Sequence, residues 1–165
     1  MAGRHSLGIL ARRPGMTFPP GQHPIEGFPR SVRYVDLFTV TTSAAADRSP
    51  EQWARAAIED AAGLAGQFIW RVVLGLRLER RPSLDHVGGW KIGDRDDNWI
   101  RLEAASWFLT AQIVVQVDPG QVSVATFIRY DRPMAAVIWP PLSIGHRQAM
   151  PGLLRLARER ELRPP

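Results

Sequence analysis

The side chains that could move protons in this sequence are few. There is no cysteine, so thiolate nucleophiles, disulfides and thiolate metal sites are excluded. The four histidines stand at positions 5, 23, 86 and 146, with no spacing that would gather them around a metal. Imidazole and phenol are the groups general acid–base chemistry uses. His86, Tyr130 and His146 are therefore the candidate catalytic residues, with Ser106 and Thr126 as hydroxyl partners. Ser106 opposite His86 has the makings of a nucleophile and base. Asp85 points to the other face, however, so no triad forms. "DRDDN" (94–98) starts like a calcium loop, but its sixth position is Trp99 and its twelfth Ala105, where glycine and glutamate are required. Gly88–Gly89 belongs to no phosphate-binding motif and reads as a thinned strand or a bulge. The sequence implies no cofactor and no metal.

Those residues must be positioned by a sheet. "WFLTAQIVVQVDPGQVSVATFIRY" (107–130) alternates as two strands around a Pro119–Gly120 turn. That turn sets Val117 against Val122, Val115 against Val124, Ile113 against Thr126, Ala111 against Ile128 and Leu109 against Tyr130. The preceding hairpin turns at Trp107–Phe108 and pairs Leu102 with Ile113 and Ala104 with Ala111. A three-residue loop, Arg95–Asp97, would then place Ile92 against Ile100, Trp90 against Leu102 and His86 against Ser106. On this register His86, Ser106 and Tyr130 form one row at one end of an apolar face. Trp70, Trp90, Trp139 and Met150 are the large side chains expected to floor a pocket beside them.

The remaining elements follow from local signals. "VRYVDLFTV" (32–40) reads as a strand. Ser49, Pro50 and Gln52 form an N-cap, a proline at the first helical position and a capping box, with Trp53, Ala57, Ile58 and Ala61 on one face. "GQFIWRVVLGLRL" (66–78) reads as a second helix with Phe68, Ile69, Val72, Val73 and Leu76 inward. After "DRP" the chain turns helical. Pro140 and Pro141 should interrupt it, and Pro151 should kink a terminal helix whose inner face carries His146, Met150, Leu153 and Leu154. Residues 1–30, rich in Pro, Gly and Arg, read as a flexible leader ahead of a single domain over 31–161.

Composition narrows the class. The chain has 165 residues, 45% of them apolar, which suits one core. No apolar run approaches the ~20 residues of a membrane span, and a cytoplasmic location is the expectation. The net charge is +5, and Lys91 is the only lysine. The arginines are spread along the chain rather than gathered on one surface, so nucleic acid is not an expected partner.

"YVDLF", "SPEQWARAAIED", "LGLRL", "DHVGGWKI", "IRLEAASWFLTAQIVVQVD", "ATFIRYDRPMAAVIWPPLSIGHR" and "MPGLLRLA" together resemble an actinobacterial domain-of-unknown-function family. That family also forms the C-terminal part of some NAD(P)-binding oxidoreductases. The likeness covers about Ser31 to Ala157. It implies the helix-grip superfamily (SRPBCC) of START domains, Bet v 1-like proteins and aromatic polyketide cyclases. The fold class implied is α+β: a curved antiparallel sheet wrapped around a long C-terminal helix, with a helix pair after the first strand. Five strands are legible here, against about seven in a full helix-grip sheet.

The expected function is binding of a hydrophobic small molecule or lipid between sheet and terminal helix. Its site would draw on Trp70, His86, Trp90, Ser106, Thr126, Tyr130, Trp139, His146 and Met150. One alternative is a polyketide-cyclase-like or isomerase enzyme using His86, Tyr130 or His146. Another is an accessory interaction module of an oxidoreductase. An outer-face patch of Trp99, Phe108 and Phe127 would suit such a partner, or a homodimer.

Overall fold

The computed structural model describes residues 9–10, 32–81 and 83–161. The fold is α+β, a single antiparallel sheet and a long C-terminal helix, with a helix pair inserted after β2. Among the described residues seven strands make the sheet: β1 (Ile9–Leu10), β2 (Val32–Thr41), β3 (His86–Val87), β4 (Trp90–Arg95), β5 (Trp99–Ala105), β6 (Leu109–Asp118) and β7 (Gln121–Tyr130). Their order is β1-β2-β7-β6-β5-β4-β3, a meander from β3 to β7 with β2 returning beside β7. Of the expected leader, only β1 lies within the described residues, paired with Leu37 and Phe38.

The helix pair consists of α1 (Pro50–Arg55) and α2 (Gly63–Phe68). Each widens into π-helical turns, over Ala56–Ala61 and Ile69–Val73 respectively. Ser49 caps α1 through the Gln52 backbone N–H, and the Gln52 side chain accepts from the Ser49 N–H, completing the capping box. Gly63, at φ 51°, sits in the left-handed region between the two helices. The last helix, α3 (Met134–Glu161), packs against the π-helical turns after α1 and against β2. Among the described residues no helix is long and apolar enough to cross a membrane.

The registers of β5–β6 and β6–β7 are those the turns dictate: Leu102 opposes Ile113, Ile113 opposes Thr126, and Leu109 opposes Tyr130. The inner face they form, with Ile100, Leu102, Val115, Val124 and Ile128 buried, meets Trp53 and Ile58 from the α1 side and Trp139 and Leu154 from α3. Each such side chain contributes roughly 1.5–3 kcal/mol by leaving water.

Five expectations are overturned. First, Gly88 and Gly89, at φ 57° and 89°, form a tight turn that splits the expected first meander strand into β3 and β4. With β1, this brings the strand count from five to seven. Second, the 94–98 turn is a two-residue loop, Asp97–Asn98, closed by the Asp96 N–H on the Trp99 carbonyl. A bulge at Gly93 restores the phase, so Ile92 opposes Leu102 rather than Ile100, and Trp90 is still buried. Third, α2 turns Leu64, Phe68, Ile69, Val72 and Val73 outward, with Phe68 60% and Val72 64% exposed. Leu76 is buried as expected, and the rest of the burial falls to Leu74 and Leu78 beside it. Fourth, Pro140, Pro141 and Pro151 lie inside one continuous α3. Each lacks an N–H, which leaves the carbonyls of Ala136, Val137 and Arg147 without their helical donors. All three of those residues are exposed, where water can serve instead. The outer-face patch is also absent as such, because Phe108 and Phe127 are buried.

Candidate functional site

Strand alternation puts Tyr34, Asp36, Phe38 and Val40 on one face of β2, which places a carboxylate among inward residues. Asp36 lies directly across from Thr126 on β7. On α3, Trp139, Ser143, His146 and Met150 recur at helical spacing and are the buried or half-buried positions over that face. Sheet and helix thus close on a polar cluster within an otherwise apolar interface.

The cluster is centred on Asp36, which is only 3% exposed. Its Oδ2 accepts from the Tyr34 hydroxyl at 2.6 Å and lies 3.1 Å from His146 Nε2. The same Nε2 is 3.3 Å from Thr126 Oγ1. Because a carboxylate only accepts, Nε2 carries the proton, and Nδ1 is the nitrogen left to act on another molecule. Nδ1 has no hydrogen bond among the described residues, and the side chain keeps 23% of its surface open. Trp139 lies 5.8 Å from the His146 ring and 5.2 Å, edge-on, from Tyr34; Phe38 lies 6.2 Å from His146. Arg147 donates from Nε to the Tyr34 hydroxyl at 3.0 Å and stacks its guanidinium 5.3 Å over the ring. Burial first, and then the Asp36 carboxylate, push the Tyr34 phenol well above its ordinary value against the opposing pull of Arg147. The hydroxyl therefore stays a donor.

Among the described residues, two polar atoms in this group are buried without partners: Asp36 Oδ1, an acceptor, and Trp139 Nε1, a donor. Unsatisfied buried groups of this kind cost roughly 1–3 kcal/mol each. A site that receives a ligand has a reason to keep them.

Of the residues expected to form the site, Thr126, Trp139 and His146 come together here, and Met150 packs beside them at the edge of the core. The row of His86, Ser106 and Tyr130 does not form. The glycine turn carries His86 to β3 at the sheet edge, opposite Lys91. Ser106 instead holds its own turn, accepting from the Phe108 and Leu109 N–H groups. Tyr130 lines a separate open cleft of about 460 Å³ with Arg33, Arg132 and Pro133, and burial raises its phenol. Trp70 and Trp90 meet edge to face at 5.6 Å on the far side of the core. Asp36 and Tyr34 were not among the expected residues. The signal for them was present: Asp36 shares its strand phase with Phe38 and Val40.

A larger cleft, about 720 Å³, opens between the helix pair and the β3–β4 turn. It is lined by charged residues, including Arg55, Glu59, Arg71 and Glu79. Neither cleft is lined by Asp36 or His146.

No protein-family model matches the chain, and no curated protein matches it. Among solved structures, it is similar to the hypothetical protein jhp0584 from Helicobacter pylori, at 12% identity over 87% of this chain and 99% of that one, with a TM-score of 0.45. It is similar also to the Mll3558 protein from Rhizobium loti, at 18% identity over 78% and 96% of the two chains, with a TM-score of 0.33. A third similarity is to Ara h 8.0201, at 10% identity over 75% and 95%, with a TM-score of 0.33.

Proposed function

We propose that this is a cytoplasmic helix-grip protein that binds a hydrophobic small molecule or lipid between the sheet and α3, with the ligand's polar head anchored at Asp36, His146 and Trp139. The observation that carries this reading is the pair of buried, unpartnered atoms, Asp36 Oδ1 and Trp139 Nε1, in an interface otherwise built of aromatic and aliphatic side chains. Pockets for small molecules are mostly apolar with a few placed polar groups. A ligand's polar head would offer Oδ1 a donor and Nε1 an acceptor. The sequence's resemblance to a helix-grip family supports the same reading. Ligand entry is assigned to movement of α3, whose three prolines thin its backbone hydrogen bonding.

Native mass spectrometry tests this. The purified protein should carry a noncovalent mass excess that denaturing extraction releases, and H146F should lose it while keeping its melting temperature within a few degrees. A bare polypeptide mass, with no thermal shift across a panel of fatty acids and polyketides, would overturn it.

The Asp36–His146 pair also supports a second reading, a polyketide-cyclase-like or isomerase activity. A carboxylate behind an imidazole holds its tautomer and orientation for proton transfer. On this reading His146, not His86 or Tyr130, is the base.

A further inference from the structure

We infer that the cleft between the helix pair and the β3–β4 turn is a second site, for a small molecule bearing an oxyanion, either phosphate or carboxylate. The inference rests on how its arginines are held. Arg55 is neutralised: it bonds Glu51 and Glu59, each at 2.8 Å, and Glu51 is shared with Arg95 at 2.9 Å. Arg71 is held differently. Its Nε, Nη1 and Nη2 donate to Gln67 Oε1 and to the backbone carbonyls of Leu78 and Glu79, at 2.8, 3.0 and 2.9 Å. All three acceptors are neutral, so the guanidinium is locked in place with two of its five N–H groups unspent, its charge offset only through space, by the Glu79 carboxylate.

Arg80 and Arg81 stand at the mouth, exposed and without ion pairs among the described residues. Glu79 Oε1 accepts from the Arg81 and Arg80 backbone N–H groups, at 3.1 and 2.7 Å; these bonds first, and then His86 and Arg71, hold its carboxyl below its ordinary value. The lining adds His86, whose Nδ1 is buried and has no partner among the described residues. Gly88 and Gly89 keep the floor open. A Cβ on Gly89 would lie 3.1 Å from Arg71 Nη2 and 2.6 Å from the Glu79 carbonyl. A guanidinium fixed at three points, with two exposed ones at the mouth, suits a planar or tetrahedral oxyanion.

Isothermal titration with sodium phosphate and, separately, sodium citrate, in a zwitterionic buffer with ionic strength fixed by sodium chloride, distinguishes the two chemistries. Saturable one-to-one binding of either is expected, weakened about tenfold or more in R80A/R81A, a doubly exposed variant that leaves the fold intact. R71K, which keeps the charge but loses the fork, should weaken it as well. No saturation by either anion up to about 10 mM, against the sub-millimolar affinity such a fork implies, would overturn the inference. So would affinity unchanged in R80A/R81A. Neither anion needs α3 or Asp36, so the result is independent of ligand binding at the sheet–helix interface.

Discussion

Asp131 shows how single hydrogen bonds set acid stability here. Burial alone would raise its carboxyl. The Thr110 hydroxyl and the Arg129 guanidinium, each at 2.6 Å, outweigh that and hold it below its ordinary value of 3.8. A carboxyl depressed in the folded state stabilises the fold above its unfolded pKa, and loses that contribution as pH falls through the folded value. Asp131→Asn should therefore melt lower than the parent at pH 7, and the gap should close below about pH 4. Thermal melts at pH 7 and pH 3 check this; a gap equal at both would show that the charge is not the cause. At the same scale, Asp36 was legible only as a strand residue. Its partners are Tyr34, two residues away, and His146 from α3, and Tyr34 meets Arg147 across 113 positions of sequence. Strand phase marks a carboxylate as inward, but not what it will meet.

Among the elements, turns were read well where the residue type leaves no choice and badly where two solutions share one composition. Pro119–Gly120 fixed the β6–β7 hairpin. Gly88–Gly89 was compatible with a thinned strand, and only its left-handed backbone makes it a turn. The two glycine turns also differ in surroundings. Gly120, at φ 81°, has open space around a built Cβ, so Gly120→Ala should cost about 1 kcal/mol of conformational strain. At Gly89 the same strain is joined by a Cβ contact 2.6 Å from a backbone oxygen, and Gly89→Ala should cost about 3 kcal/mol or more. Urea denaturation of the two variants compares them directly; equal losses would show that the β3–β4 turn can shift. The bulge at Gly93 was missed for a related reason. Keeping Trp90 and Ile92 inward requires one extra residue, which either an odd loop or a bulge supplies, and composition does not choose between them.

For the whole molecule, the element order was legible because each element carries its own period and caps, and the meander needs only local turns. The helical layer was less legible, since apolarity in α2 does not say which neighbour will cover it. The consequence is measurable. Phe68→Ser should change stability by no more than about 0.5 kcal/mol, as a surface substitution does. Leu74→Ala, six residues on and buried, should cost about 2–5 kcal/mol. Denaturation midpoints separate these; a large loss at Phe68 would mean that α2 is covered in solution.

β3 pairs with β4 only through His86 and Val87, so most of β4 forms the rim of the sheet. That rim is bent at Gly93, charged at Asp94 and Arg95, and has its Ile92 N–H taken by the Asp85 carbonyl. A long, flat, apolar rim would template the addition of further strands from other molecules. This one offers too short and too crooked a ladder, so the bulge that corrects the inward phase of Trp90 also guards the concentrated protein against fibril growth.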